Sequence, residues 1–218
     1  MNSSGDNDFA AARQRMVREQ LAKFPARITV VMNRVPRHEF IPEETRPLAY
    51  TNAAVAIGFG QTISQPYIVA LMTTQLQPQP GDRILEIGTG SGYQAAVLAE
   101  LGAEVYSIEI IVALAERAKE TLERWSWAKV HLRVSDGAAG WPEAAPFAGI
   151  LVTCAPEAVP PALVDQLQEG GRMLIPVGAG EQFLLVLQKQ NGQLRERSRL
   201  AVRFVPMIDR AEQARRGF

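Results

Sequence analysis

The chain has 218 residues, a length that suits one sizeable domain better than two. Apolar residues make up 47%, so a full core can form, and Lys+Arg balances Asp+Glu at 23 each. Zero net charge argues against a protein built to coat nucleic acid or an anionic membrane, where a basic excess is expected. The single cysteine, Cys154, rules out an intramolecular disulfide framework. No stretch approaches the roughly 18 apolar residues of a membrane span, and residues 1–20 lack the apolar run of a signal peptide. A monomeric, cytoplasmic globular protein is the expectation.

Residues 1–7 read as disordered, with Asp8 as a cap for the helix that follows, in which Phe9, Met16, Val17, Leu21 and Phe24 recur at helical spacing. A short apolar segment, 28–35, leads into an irregular stretch over 40–63. Long irregular stretches inside a domain are functional or disordered; the apolar content here (Phe40, Ile41, Tyr50, Val55, Ile57, Phe59) predicts an ordered loop. From 64 the pattern is regular. A helix is predicted over 64–77, with Pro66 in its first turn. Strands follow at 83–87, 104–109, 130–134, 149–153 and 172–177, with helical segments after the first, the second and the fourth, the last running from Pro160-Pro161 to Gly170-Gly171. Two further strands, at 183–188 and 200–205, have no helix between them. Alternating strand and helix predicts a doubly wound, mostly parallel α/β sheet, Rossmann-like, with an antiparallel strand pair at one edge and an N-terminal helical lead-in. The whole chain reads as a single domain: lead-in and loop over 8–63, cofactor-binding core over 64–206, tail over 207–218.

The central chemical signal is Leu85-Glu86-Ile87-Gly88-Thr89-Gly90-Ser91-Gly92-Tyr93, a strand entering a glycine turn from which a helix leaves. Glycines let the backbone turn sharply and admit a ligand where a side chain would collide. A dinucleotide site wants Gly-x-Gly-x-x-Gly/Ala, and Tyr93 stands where the third small residue belongs. Gly88, Gly90 and Gly92, with Glu86 ahead of them, fit an S-adenosylmethionine site better. That cofactor has no pyrophosphate, and its ammonium suits a nearby carboxylate or backbone carbonyl. Glu109, ending the second strand, is a candidate acceptor for both ribose hydroxyls. Asp136-Gly137, after the third strand, is a candidate for the adenine edge; each acid has the plain alternative of a solvated turn residue.

Val35-Pro36-Arg37-His38-Glu39-Phe40-Ile41-Pro42, Ala49-Tyr50 and the run from Ile57 to Pro66 (Ile-Gly-Phe-Gly-Gln-Thr-Ile-Ser-Gln-Pro) resemble the protein-L-isoaspartate O-methyltransferase family. So do residues 85–96, Gly140-Trp141-Pro142-Glu143, Gly170-Gly171-Arg172, Pro176-Val177-Gly178 and Val202-Arg203-Phe204-Val205-Pro206. Together they span 35–206; the glycine turn is common to many methyltransferases, whereas Gln61–Pro66 is specific. Asn52, Ser135 and Ala148 depart from the family's usual aspartate, glycine and aspartate.

The resemblance implies S-adenosylmethionine as cofactor, no metal, and isoaspartyl residues of damaged proteins and peptides as substrate. It makes Ser64 the active-site serine, with Gln61, Thr62, Ile63 and Ser64 lining the cofactor. The methyl ester it implies would cyclise to a succinimide without further help from an enzyme. The acceptor carboxylate, with a pKa of about 4, is already an anion at neutral pH. Alignment is therefore needed and a general base is not, with 40–63 as a cover that excludes water. Ser64 has the alternative of a helix N-cap, His38 that of a structural histidine, and Cys154 that of an inert buried residue. Trp125, Trp127 and Trp141 are expected to pack. Three other classes stay open: another methyltransferase on the same fold, an NAD(P)-dependent reductase, and a binding module for damaged chains that does not turn over.

Overall fold

The computed structural model describes residues 3–125 and 129–217; Trp127 lies outside them. The lead-in consists of α1 (Ser3–Gln20) and α2 (Ala26–Arg34), followed by 3-10 turns at Arg37–Phe40 and Glu43–Leu48. β1 (Val55–Gly58) and β2 (Gln61–Ile63) form a small antiparallel ribbon, so the irregular stretch is ordered as expected. α3 (Pro66–Leu76) then enters the core, followed by β3 (Arg83–Ile87), α4 (Tyr93–Glu100), β4 (Glu104–Glu109), α5 (Val112–Arg124) and β5 (Val130–Val134). β6 (Phe147–Val152), α6 (Pro161–Gln166), β7 (Leu167–Val177), β8 (Gln182–Gln190), β9 (Gln193–Val202) and α7 (Arg210–Arg216) complete the order.

The seven-stranded sheet runs β5-β4-β3-β6-β7-β8-β9, parallel through β7 and antiparallel beyond it. The chain winds outward from β3 to β5, then returns to lay β6 on the other side of β3. This reversal opens a crevice at the carboxyl ends of β3 and β6, where ligands bind in open α/β sheets. The central strands are apolar throughout because helices cover both faces: Ile84, Leu85, Ile87, Ile150, Leu151 and Val152 are all buried. Met72, Leu76, Ala95 and Leu98 close one face, and Leu163 with the end residue Leu167 the other. The lead-in forms a third cluster, in which Met16, Leu21, Ile28 and Phe40 meet Tyr93 and Val97 of α4 and Leu114 and Leu122 of α5.

Four local expectations are corrected. α1 begins at Ser3, so Asp8 lies inside the helix and not at its cap. Residues 28–35, read only as a short apolar segment, fall largely within α2, whose Ile28, Val31 and Met32 face the core. α6 stops at Gln166, and Gly170-Gly171 belongs to β7, where the strand shifts register against β6. The final strand spans Gln193–Val202, turned from β8 at Asn191-Gly192, and residues 204–206 have left the sheet. There the Ala155 amide donates to the Val205 carbonyl (2.8 Å) and the Met207 amide to the Ala155 carbonyl (2.8 Å), tying the chain's end to the loop after β6.

Candidate active site

A cleft of about 870 Å³, open to solvent, lies at the carboxyl ends of β3, β4 and β6. Its walls bring together Gln61, Thr62, Ile63 and Ser64 with Gly88, Gly90, Glu109 and Gly137. Segments remote in sequence thus converge because the β1–β2 ribbon and α3 pack beside the glycine turn. Residues 205–208 supply a further wall that nothing in the local sequence signals. Met207 is half-buried and Ile208 buried, and α7 is tied down by Gln213, whose amide donates to the Ile110 carbonyl (2.7 Å).

All three glycines of the turn have positive φ: +90° at Gly88, +52° at Gly90 and +85° at Gly92. Other residues rarely adopt that region. A Cβ on Gly88 would fall 2.5 Å from the Thr153 hydroxyl, which donates toward the Gly88 carbonyl (2.6 Å) and the Ile87 carbonyl (3.0 Å). Gly92 is not on the cleft wall; its Cβ would meet Ala118 at 3.2 Å, so it lets α5 pack against the start of α4. Asp136 is also off the wall. It accepts from the Ala138 amide (2.9 Å) and caps the short turn Gly137–Ala139, which sets Gly137 against the cleft. Gly137 has no room for more: a Cβ would lie 2.3 Å from Cγ2 of Ile87. Gly137→Ala is expected to destabilise the protein by about 1–3 kcal/mol through overpacking, read by urea denaturation; a loss under about 0.5 kcal/mol would contradict that packing.

Glu109 is buried and accepts three backbone N–H groups: Gly90 (2.7 Å) on one oxygen, Ile110 (3.0 Å) and Ile111 (3.0 Å) on the other. Burial pushes its carboxyl up, while the three amides pull it down by less. A carboxylate has about four lone-pair sites, so about one remains for a ligand hydroxyl. Gripping both hydroxyls of a ribose requires the Gly90 amide to yield its place.

Glu86 does not reach the cleft. It is fully buried, one oxygen accepts from the Ser107 hydroxyl (2.5 Å), and Ser107 meets the Thr89 hydroxyl (2.6 Å) in the glycine turn. The other oxygen has no hydrogen-bond partner. Burial raises this carboxyl to about 8, against the Ser107 bond and helped by neighbouring Glu109. Any ammonium in the cleft would therefore face backbone carbonyls of the turn, not this acid. Because the folded state binds the proton more tightly than the unfolded chain, the stability that Glu86 contributes is full below about pH 4.5 and is lost as pH rises to about 8. Glu86→Gln is expected to remove that fall. Its stability relative to wild type should then rise with pH, by up to about 1.4 kcal/mol per unit, in urea titrations at successive pH values; a constant difference would contradict it.

α3 starts at Pro66 with Gln65 in the cap position and no side-chain cap bond, so Ser64 does not cap the helix. Ser64 borders both the main cleft and a second one, walled on the far side by residues 201–205. Thr62, Thr153 and Val205 also border both. His38 lines neither: it is buried, stacked on Phe9 at 4.3 Å and bonded through Nδ1 to the Tyr50 hydroxyl (2.7 Å), as a structural histidine would be. Cys154 does border the main cleft, and burial holds its thiol protonated. Trp141 packs under the Arg133 guanidinium at 3.9 Å and against Tyr106, whereas Trp125 is exposed.

Parallel sheet, glycine turn and an acid at the end of the next strand define a nucleoside-binding α/β fold of the methyltransferase type. The family model for protein-L-isoaspartate(D-aspartate) O-methyltransferase matches residues 13–212, and the chain belongs to that family. A protein-L-isoaspartate O-methyltransferase of Opitutus terrae is 53% identical over 199 residues, covering 89% of this chain and 85% of the relative. One from Syntrophobacter fumaroxidans is 49% identical, covering 94% and 89%. A solved protein-L-isoaspartate O-methyltransferase superposes with a TM-score of 0.84 at 29% identity, covering 89% of this chain and 65% of that one. A structure described as a beta-aspartate methyltransferase from Plasmodium falciparum, in complex with S-adenosyl-L-homocysteine, superposes at 0.80 over 92% of this chain and 98% of its own. At 24% identity it speaks for the fold alone.

Proposed function

We infer that the protein transfers a methyl group from S-adenosylmethionine to the free carboxylate of L-isoaspartyl residues in damaged proteins and peptides. The observation that carries this reading is the convergence of residues 61–64 with the glycine turn and Glu109 on one cleft, with Ser64 turned also toward a second. Membership of the family supports the same activity. The residues present suit the cofactor: Glu109 keeps an acceptor for a hydroxyl, and the glycines leave the turn's backbone bare. When bound, S-adenosylmethionine supplies an electrophilic methyl group on a sulfonium.

In this reading Gln61, Thr62, Ile63 and Ser64 flank the cofactor, Gly88, Gly90 and Glu109 hold its amino-acid end and ribose, and Gly137 borders the adenine. Gly92 and Asp136 support the site by packing and capping. Ser64 donates its hydroxyl to one oxygen of the acceptor carboxylate and holds the other in line, a contribution from orientation. No base is required, because the acceptor is already ionised. The β1–β2 ribbon covers the meeting point and keeps water from it, which favours reaction between an anion and a cation as their charges cancel. The protein works as a cytoplasmic monomer on isoaspartyl chains and binds neither nucleic acid nor membrane; no helix among the described residues is long and apolar enough to cross one.

The deciding measurement is methyl transfer to an isoaspartyl peptide beside its normal aspartyl twin. The isoaspartyl peptide is expected to be methylated and its twin ignored. Equal labelling, or labelling of neither, would overturn the reading.

A further inference from the structure

Arg37 is the largest fully buried side chain, at 0% exposure. A guanidinium keeps its proton at any ordinary pH, and burial lowers this one only to about 10. Its surroundings contain no compensating acid among the described residues. The titratable groups beside it, Tyr93 and Tyr50, have burial-raised phenols that stay uncharged, and nearby Glu39 is turned instead to His38, Arg46 and Arg124. An unpaired cation inside a protein is costly, and an apolar side chain of similar volume would fill the space without that cost.

The contacts of this side chain reach three separate segments. Nε donates to the Ala49 carbonyl (2.7 Å) and Nη2 to the Ser64 carbonyl (2.8 Å), while Nη1 is buried without a partner. The guanidinium carbon stands 5.0 Å from the ring centre of Tyr93, in the first turn of the helix that leaves the glycine turn. Arg37 therefore ties three parts of the molecule, the loop before β1, the strand end at Ser64 and α4, directly behind the residue that separates the two clefts.

We propose that Arg37 is a positioning residue for the acceptor: it fixes the backbone of Ser64 and keeps an unneutralised positive charge next to that residue, which borders the second cleft where an isoaspartyl carboxylate docks. This rests on the reading above, that the cleft beyond Ser64 takes the carboxylate. A charge held in a low-dielectric interior acts on an anion far more strongly than one in water. The two contributions separate by substitution. Lysine keeps the charge but cannot reach both carbonyls with a planar fork; methionine keeps the bulk and drops the charge.

The test compares wild type, Arg37→Lys and Arg37→Met for methyl transfer to an isoaspartyl peptide, for S-adenosylhomocysteine binding by calorimetry, and for thermal melting. Wild type that binds S-adenosylhomocysteine but leaves the peptide unmethylated overturns the functional reading, before Arg37 is touched. With wild type active, Arg37→Met is expected to raise the peptide KM about tenfold or more, and Arg37→Lys to lower kcat about tenfold with KM within about threefold. Affinity for S-adenosylhomocysteine should stay within about threefold in both. A wild-type peptide KM in the methionine variant overturns the proposal. So does a fall in S-adenosylhomocysteine affinity in step with activity, and so does a lysine variant that no longer melts cooperatively, since either makes Arg37 a general prop of the fold. Should the methionine variant alone fail to fold, the lysine variant's kcat decides.

Discussion

Glu109→Gln is expected to weaken S-adenosylhomocysteine binding roughly 10- to 100-fold, the range for lost hydrogen bonds to a charged acceptor. The carboxylate now serves three amides with two oxygens. Glutamine offers one oxygen and one NH2 group. Whichever way its amide is turned, the NH2 faces at least one backbone N–H, at Gly90 or at Ile110 and Ile111. With the NH2 toward Gly90, the lone pair left for the ligand is lost as well. Shape is preserved, so the change acts on the local hydrogen bonds and the charge rather than on the volume of the core. Calorimetric titration with S-adenosylhomocysteine measures the effect directly. An affinity within about threefold of wild type would mean that Glu109 only organises the loop after β4 and does not touch the ligand.

The second large effect is expected at Ser64. Ser64→Ala should lower kcat for the isoaspartyl peptide roughly 100-fold, comparable to removing one well-aimed donor from an active site. The melting temperature should move little. The basis for separating the two is that Ser64 makes no cap bond to α3, so deleting its hydroxyl takes no hydrogen bond from the helix end. Steady-state kinetics and a thermal melt on the same preparation decide it. Loss of stability with unchanged kcat would return Ser64 to a purely structural role.

Much of the fold is legible in the sequence because buried parallel strands are written as uninterrupted apolar runs. Ile84-Leu85 and Ile150-Leu151-Val152 are central, covered on both faces, and easily read. The last strand is not. β9 is the sheet's edge and most of its residues are exposed, so Arg195, Glu196, Arg197, Ser198 and Arg199 carry no apolar pattern. The strand expected at 200–205 overlaps only the end of β9, at 200–202, and the chain leaves the sheet after it. The Gly170-Gly171 pair has the look of a helix stop; the strand pairing of β7 with β6 overrides that local signal.

The site is legible to a similar degree. The glycine turn, Glu109 and Gln61–Ser64 are read from motif and resemblance, and the structure gathers them on one cleft. Gly92 and Asp136 stand one step back, because motif spacing marks a turn without distinguishing residues that face a ligand from those that let helices pack. The wall made by 205–208 depends on a chain crossing between Ala155 and Pro206, 51 residues apart in sequence; no local pattern announces it. Arg37 is part of a run that resembles the family, but only its burial without an acid sets it apart from any surface arginine.

The partition formed by Thr62, Ser64, Thr153 and Val205 has a kinetic meaning. In the proposed arrangement, with the peptide in the second cleft and the nucleoside in the first, the two need not queue behind one another. Neither product blocks the exit of the other, and the sequence of arrivals and departures is governed by affinity and concentration, not by obstruction. Initial-rate patterns should converge on a ternary complex, and not run parallel as they do when one product leaves before the second substrate binds.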